Sequence, residues 1–222
     1  MGQTITLKAK DGHSFSAYRA DPAGKPKGAL VVIQEIFGVN HHIRSVCDRF
    51  AEQGYIAVAP ALFDRAQKGV EFAYDPAGIA AGREIMTKMP MDGIAADTQA
   101  TIDYAKEFGK VGIVGYCLGG SVAFTAATKL DGVAAAVGYY GGQIAANAQN
   151  KPKVPTMLHF GDQDQSIPMA DVEKVKAARP DVQVFVYHAG HGFNCDARPS
   201  YDAESAKVAL ERTLDHFKKY VG

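Results

Sequence analysis

The 222-residue chain has no surplus of charge of either sign: 24 Lys and Arg stand against 24 Asp and Glu. No basic block or aromatic–basic interleaving breaks that balance, which argues against nucleic acid or an anionic membrane surface as the main partner. Long apolar runs are missing too, and none approaches the roughly 20 residues that a membrane-spanning helix needs. The opening residues, MGQTITLKAKDGHSF, are polar and alternating, without the apolar core of a secretory signal. Cysteine is scarce. Cys47, Cys117 and Cys195 form an odd set with no Cys-x-x-Cys spacing, which suits a reducing compartment better than a disulfide framework. Tryptophan, internal repeats and Pro/Ser-rich linkers are all absent. One domain over residues 1–222 is expected, in the cytoplasm, as a monomer or small homo-oligomer.

What is present is a regular order of elements. Residues 4–8 and 15–18 read as two short strands joined by a turn at Asp11-Gly12. Six apolar runs follow: ALVVIQEI (29–36), YIAVAP (55–60), KVGIVGY (110–116), VAAAVGYY (133–140), VPTMLHFG (154–161) and VQVFVYH (182–188). Such runs are what a parallel sheet covered on both faces requires. Between them, residues 41–53 place Ile43, Val46, Cys47 and Phe50 at helical spacing, and residues 93–108 do so with Ile94, Thr98, Ile102 and Ala105. Segments 119–130, 168–178 and 202–220 complete the helices, while 64–92 reads as a loop. Alternating βα units predict an α/β fold: a mainly parallel, doubly wound sheet of about eight strands with helices on both faces. Active sites in such sheets gather at the carboxyl ends of the strands.

The run at 110–116 leads into GYCLGG, the outline Gly-x-nucleophile-x-Gly with Cys117 in the middle. Gly115, Gly119 and Gly120 remove side chains where strand and helix must cross closely. The helix start favours a thiolate and offers the Leu118 N–H to a developing oxyanion. A cysteine in a Gly-rich bend can equally be an ordinary buried residue. The next runs decide between them. GDQDQSIP, with Asp162 and Asp164, follows 154–161, and HAGHGF, with His188 and His191, closes 182–188. Taken singly, an Asp there fits a turn and a His fits a satisfied loop position. Nucleophile, acid and histidine in that order, each at a strand end, is the α/β-hydrolase arrangement. Asp164 lies beyond the turn and can reach a neighbouring loop, and His191 sits between two glycines, whereas His188 still belongs to its strand; Asp164 and His191 are therefore the expected partners of Cys117.

Glu35 ends a hydrophobic run, where a carboxylate is costly to bury unpaired. It reads either as a surface residue at a strand end or as a carboxylate beside the nucleophile that exchanges a proton with the thiol. The Ile36 N–H, in the following loop, is placed to be a second oxyanion donor. His41-His42 and His188/His191 are the pairs that suggest metal, but adjacent histidines at a helix start point apart, and His191 is taken by the triad. No metal and no cofactor is expected.

Together QEIFG, GYCLGG, GDQDQSIP and HGF resemble the dienelactone hydrolase family of the α/β-hydrolases, over nearly the whole chain. The resemblance implies a small cytoplasmic enzyme with a Cys-His-Asp triad and neither metal nor cofactor. It implies hydrolysis of carboxymethylenebutenolide-type lactones, formed in the breakdown of chlorinated aromatics, to maleylacetate. By the same resemblance Glu35 holds the resting thiol and receives its proton when substrate binds. Tyr140, of the pair Tyr139-Tyr140, and Phe37 would line the pocket, and Arg198 and Arg83 would bind a substrate carboxylate. Arg198 follows His191 later than its counterpart does in type members of the family. A thiol nucleophile suits activated lactones or esters, because the intermediate expels the better leaving group and an amine would be a poor one. The rival readings are a broader carboxylesterase or thioesterase with the same triad, and a hydrolase-fold binding module that has lost activity.

Overall fold

The computed structural model describes residues 2–222. Its strands are β1 (Gln3–Lys8), β2 (Ser14–Ala20), β3 (Ala29–Ile33), β4 (Ile56–Pro60), β5 (Val111–Tyr116), β6 (Val133–Tyr139), β7 (Thr156–Gly161) and β8 (Gln183–Tyr187). They form one eight-stranded sheet in the order β1-β2-β4-β3-β5-β6-β7-β8. β1 pairs antiparallel with β2, and β2 antiparallel with β4, while all the other pairings are parallel. The expected α/β architecture is present, with the N-terminal hairpin as its antiparallel edge.

The helices are α1 (His41–Glu52), α2 (Pro76–Thr87), α3 (Met91–Ala105), α4 (Leu118–Lys129), α5 (Met169–Ala178) and α6 (Ala203–Tyr220). Every residue of β3 is buried, and its side chains alternate between two cores. Leu30 and Val32 join Ile43, Val46 and Phe50 of α1 and Phe217 of α6 on one face. Val31 and Ile33 join Ile94 and Ile102 of α3 and Ala123 of α4 on the other. An all-apolar run is needed because neither face meets water. Among the described residues no helix is long and apolar enough to cross a membrane.

The segment 64–92, read above as a loop, is not one: it contains α2. Its start signals are legible, with Asp75 accepting a hydrogen bond from the Gly78 N–H and Pro76 in the first turn. Gly78 and Gly82 weaken the helical pattern. Gly82 is required by contact, since a Cβ there would run into the Ile36 carbonyl. The glycine that hides the helix in the sequence is what lets α2 lie against the loop after β3.

The strand order reverses between β3 and β5. The chain leaves β3 for β4 on one side and later returns to place β5 on the other. Ligand crevices form at the carboxyl ends of strands beside such a switch point. Glu35 and Ile36 follow β3, and Cys117 follows β5.

Candidate active site

Cys117 stands between β5 and α4 with φ 56° and ψ −113°, a backbone that residues with a Cβ adopt only under strain. Its N–H donates to Tyr139 O at 3.0 Å, tying the turn to β6. Gly119 makes the crossing possible, because a Cβ there would collide with the Ile33 and Gln34 carbonyls. This sharp turn lifts the half-buried sulfur above the sheet at the start of α4. No acceptor engages the Leu118 or Ile36 N–H among the described residues, so both amides are free to serve an oxyanion.

The sulfur lies 3.1 Å from His191 Nε2, and His191 Nδ1 lies 2.7 Å from Asp164 Oδ2. Asp164 is held from behind: its Oδ1 accepts the Ser166 N–H at 2.7 Å and the Ile167 N–H at 3.2 Å. The QSIP sequence supplies that turn. The His191 carbonyl accepts the Ser200 hydroxyl at 2.7 Å, fixing the histidine loop from the other side. Burial opposes a charge on His191, but its bonds to Asp164 and Cys117 outweigh that and raise its pKa to about 10. An imidazolium so placed can partner a sulfur anion and later protonate a leaving group. Asp162 and His188 pair with each other at the exposed surface, 3.1 Å apart. β8 ends at Tyr187, so His188 lies just past the strand and not within it.

Glu35 is completely buried, and it does not hydrogen-bond the Cys117 thiol. Its Oε1 accepts Arg198 Nη1 at 3.1 Å and its Oε2 accepts the Tyr74 hydroxyl at 2.8 Å. The Arg198 guanidinium lies over the rings of Phe37 and Tyr74, 5.4 and 5.7 Å from their centroids. Burial works against the charge of Arg198, while Glu35 and then Cys117 hold its pKa above the usual value. The resting arrangement expected of Glu35, a hydrogen bond to the thiol, is thus replaced here by an ion pair with Arg198. The sulfur faces His191 instead.

A sequence profile of the dienelactone hydrolase family matches residues 15–221. The carboxymethylenebutenolidase of Pseudomonas putida is 38% identical over 225 residues, covering 95% of this chain and 94% of that protein. A Synechocystis relative provisionally given the same name is 39% identical and spans 97% of this chain and 96% of its own. A Klebsiella pneumoniae structure, provisionally described as a dienelactone hydrolase, superposes with a TM-score of 0.87 at 30% identity, over 99% of this chain and 100% of that one. The chain belongs to the dienelactone hydrolase family. Membership makes it a hydrolase of ester or lactone bonds.

Within this dienelactone hydrolase family member the remaining expected residues divide. Phe37 and Tyr140 are both buried beside the site. The Tyr140 ring lies 5.1 Å from that of His191, and its hydroxyl is buried without a partner. Arg83 is exposed on α2 and makes no ion pair among the described residues. Two contributors are missing from the sequence reading. Gln34, fully buried, donates to Glu35 O at 3.1 Å and accepts the Leu62 N–H at 3.1 Å, fixing the loop that carries Ile36. Tyr74 lies within 64–92, where no pattern marks it, and a glutamine directly after an all-apolar run is the sequence signal for Gln34. A cavity of about 330 Å³ lies elsewhere: it opens between α1 and α6, lined by Arg49, Tyr116, Asp196 and Lys207 and not by Cys117.

Proposed function

We propose that the chain hydrolyses a small activated lactone or ester of the dienelactone type through a thioester on Cys117. The observation that carries this reading is the continuous line from Cys117 Sγ through His191 to Asp164, at 3.1 and 2.7 Å. In the reaction the Cys117 thiolate attacks the carbonyl carbon, and the oxyanion takes hydrogen bonds from the Leu118 and Ile36 N–H groups. Collapse breaks the acyl–oxygen bond, and His191 gives its proton to the departing enolate. His191 then removes a proton from water, which attacks the thioester, and the acid leaves as the thiol is restored.

Glu35 has a role here that explains its unusual burial. Held by Arg198 and Tyr74, it sits away from a sulfur that faces His191, as an armed site requires. In the resting enzyme Glu35 would turn to the thiol and hold it neutral and unreactive. A substrate carboxylate would reach this region through Arg198, and the proton would pass from thiol to Glu35.

One observation favours a second reading, a broader carboxylesterase or thioesterase. Arg198 is already paired with Glu35 and Arg83 is exposed, so neither arginine expected to bind a carboxylate offers a buried, unengaged guanidinium. Neutral esters would then suffice as substrates. A panel of a carboxylate-bearing dienelactone, a neutral aryl ester and an acyl thioester, assayed with wild type and Cys117→Ala, tests both. We expect a loss of at least about 10³-fold in Cys117→Ala on every substrate turned over, with the fold intact. Substantial turnover by folded Cys117→Ala would refute the thioester mechanism, and equal kcat/KM on charged and neutral substrates would favour the broader esterase.

A further inference from the structure

Beside the triad lies a second set of reactive side chains, of which the hydrolytic mechanism uses only Glu35. Glu35, His42 and Cys195 each offer a ligand atom, and these atoms all lie within 4.8 Å of one another. They come from three distant segments: the loop after β3, the first turn of α1 and the loop after His191. All three are buried, with 0%, 2% and 0% of their surface exposed.

The state of His42 is the telling detail. Its Nδ1 is bound to Asp196 Oδ1 at 2.9 Å, and Asp196 is itself held by Arg49 Nη1 at 3.0 Å. Its Nε2 is buried and has no partner at all. A proton on Nδ1 leaves the Nε2 lone pair without a donor, a costly condition for a buried polar atom. A carboxylate behind the ring of a histidine whose other nitrogen is free is also the usual outer shell of a metal-binding histidine.

We propose that Glu35, His42 Nε2 and Cys195 Sγ form a site for one thiophilic divalent cation, Zn²⁺ being the best match. Carboxylate, imidazole and thiolate are all zinc ligands, with bond lengths near 2.0–2.3 Å that put neighbouring donors about 3.3–3.7 Å apart. The observed limit of 4.8 Å requires the three to draw together by no more than about 1.5 Å. Water fills the fourth position. On binding, the Cys195 S–H bond breaks as the S–Zn bond forms, the proton leaves to solvent, and no electron moves. The cation then offsets Glu35 and the thiolate, Arg49 offsets Asp196, and Arg198 remains as one net positive charge. Resting on the reading of Glu35 above, a metal-bound Glu35 could not accept the Cys117 proton, and an occupied site would so restrain hydrolysis.

Cobalt(II) titration of the metal-free Cys117→Ala chain tests the site without reference to activity, and removes the Cys117–His191 pair as a competing ligand set. One Co²⁺ per chain should bind with the intense thiolate-to-cobalt absorption and a four-coordinate ligand-field spectrum. Adding Cys195→Ser should abolish the thiolate band, and adding His42→Asn should weaken binding at least tenfold. X-ray absorption of the zinc-loaded Cys117→Ala chain, which needs no further substitution, should show one sulfur with nitrogen and oxygen ligands. A thiolate band that survives Cys195→Ser, a zinc shell without sulfur or with two, or no binding at all would overturn the proposal. Failure of Cys117→Ala to abolish hydrolysis would leave the metal site standing and remove only its regulatory consequence.

Discussion

Asp164 and His191 illustrate how a few contacts set the chemistry of one imidazole. His191 carries its proton to about pH 10 because its bonds to Asp164 and Cys117 outweigh its burial. The folded pKa lies above the ordinary value of 6.5. The stabilisation from these contacts is therefore complete below about pH 6.5 and disappears as the pH rises through about 10. In Asp164→Asn the side-chain oxygen can still accept the Ser166 and Ile167 amides, so the turn survives while the charge is lost. Imidazole NMR should show the His191 pKa falling by one to about three units, and an unchanged titration would mean that Asp164 is not its charge partner. A different neighbour governs Glu35. Arg198→Ala would leave a fully buried carboxylate without its guanidinium, a loss of about 3–5 kcal/mol of the kind expected for a broken buried pair. Combining it with Glu35→Gln should restore part of that stability in chemical denaturation; additive losses would place the ion pair outside the folding energetics.

At the scale of elements, the parts of the site differ in how far the sequence announces them. The turn at Cys117, the Asp164 turn and the His191 loop each follow an apolar run directly, so their spacing along the chain is also their placement over the sheet. Glu35 is different. Its partners Tyr74 and Arg198 lie 39 and 163 residues away in sequence, and no local pattern connects them. The same applies to Cys195 and His42, since pairing neighbouring histidines in sequence misses ligands gathered by the fold. α2 escapes notice because helical propensity and packing pull apart at Gly82. That helix is also where an element-level test belongs. Gly82→Ala improves helix propensity by about 1 kcal/mol yet forces a methyl group into the Ile36 carbonyl. Packing should win: the variant should be less stable, and kcat should fall as the Ile36 amide moves. A more stable variant of unchanged activity would show that α2 does not position this loop.

Taken as a whole, the molecule is graded from its middle outward. β3, β5 and most of β6 are buried along their length, whereas β1 and β8 are edge strands with exposed or half-buried residues. Native-state hydrogen exchange should therefore find the slowest amides in β3, β5 and β6 and faster opening in β1 and β8; uniform protection across the sheet would contradict this grading. The Cys117 turn emerges from the fully buried β5, and it is held at φ 56°, a conformation suited to glycine. On the mechanism proposed above, heat resistance and reactivity therefore pull position 117 in opposite directions. Selection for survival at high temperature alone would drift toward glycine there, relaxing the backbone and erasing the thiol in a single substitution. Such a chain would keep the shape of a hydrolase and lose the nucleophile that the proposed mechanism requires.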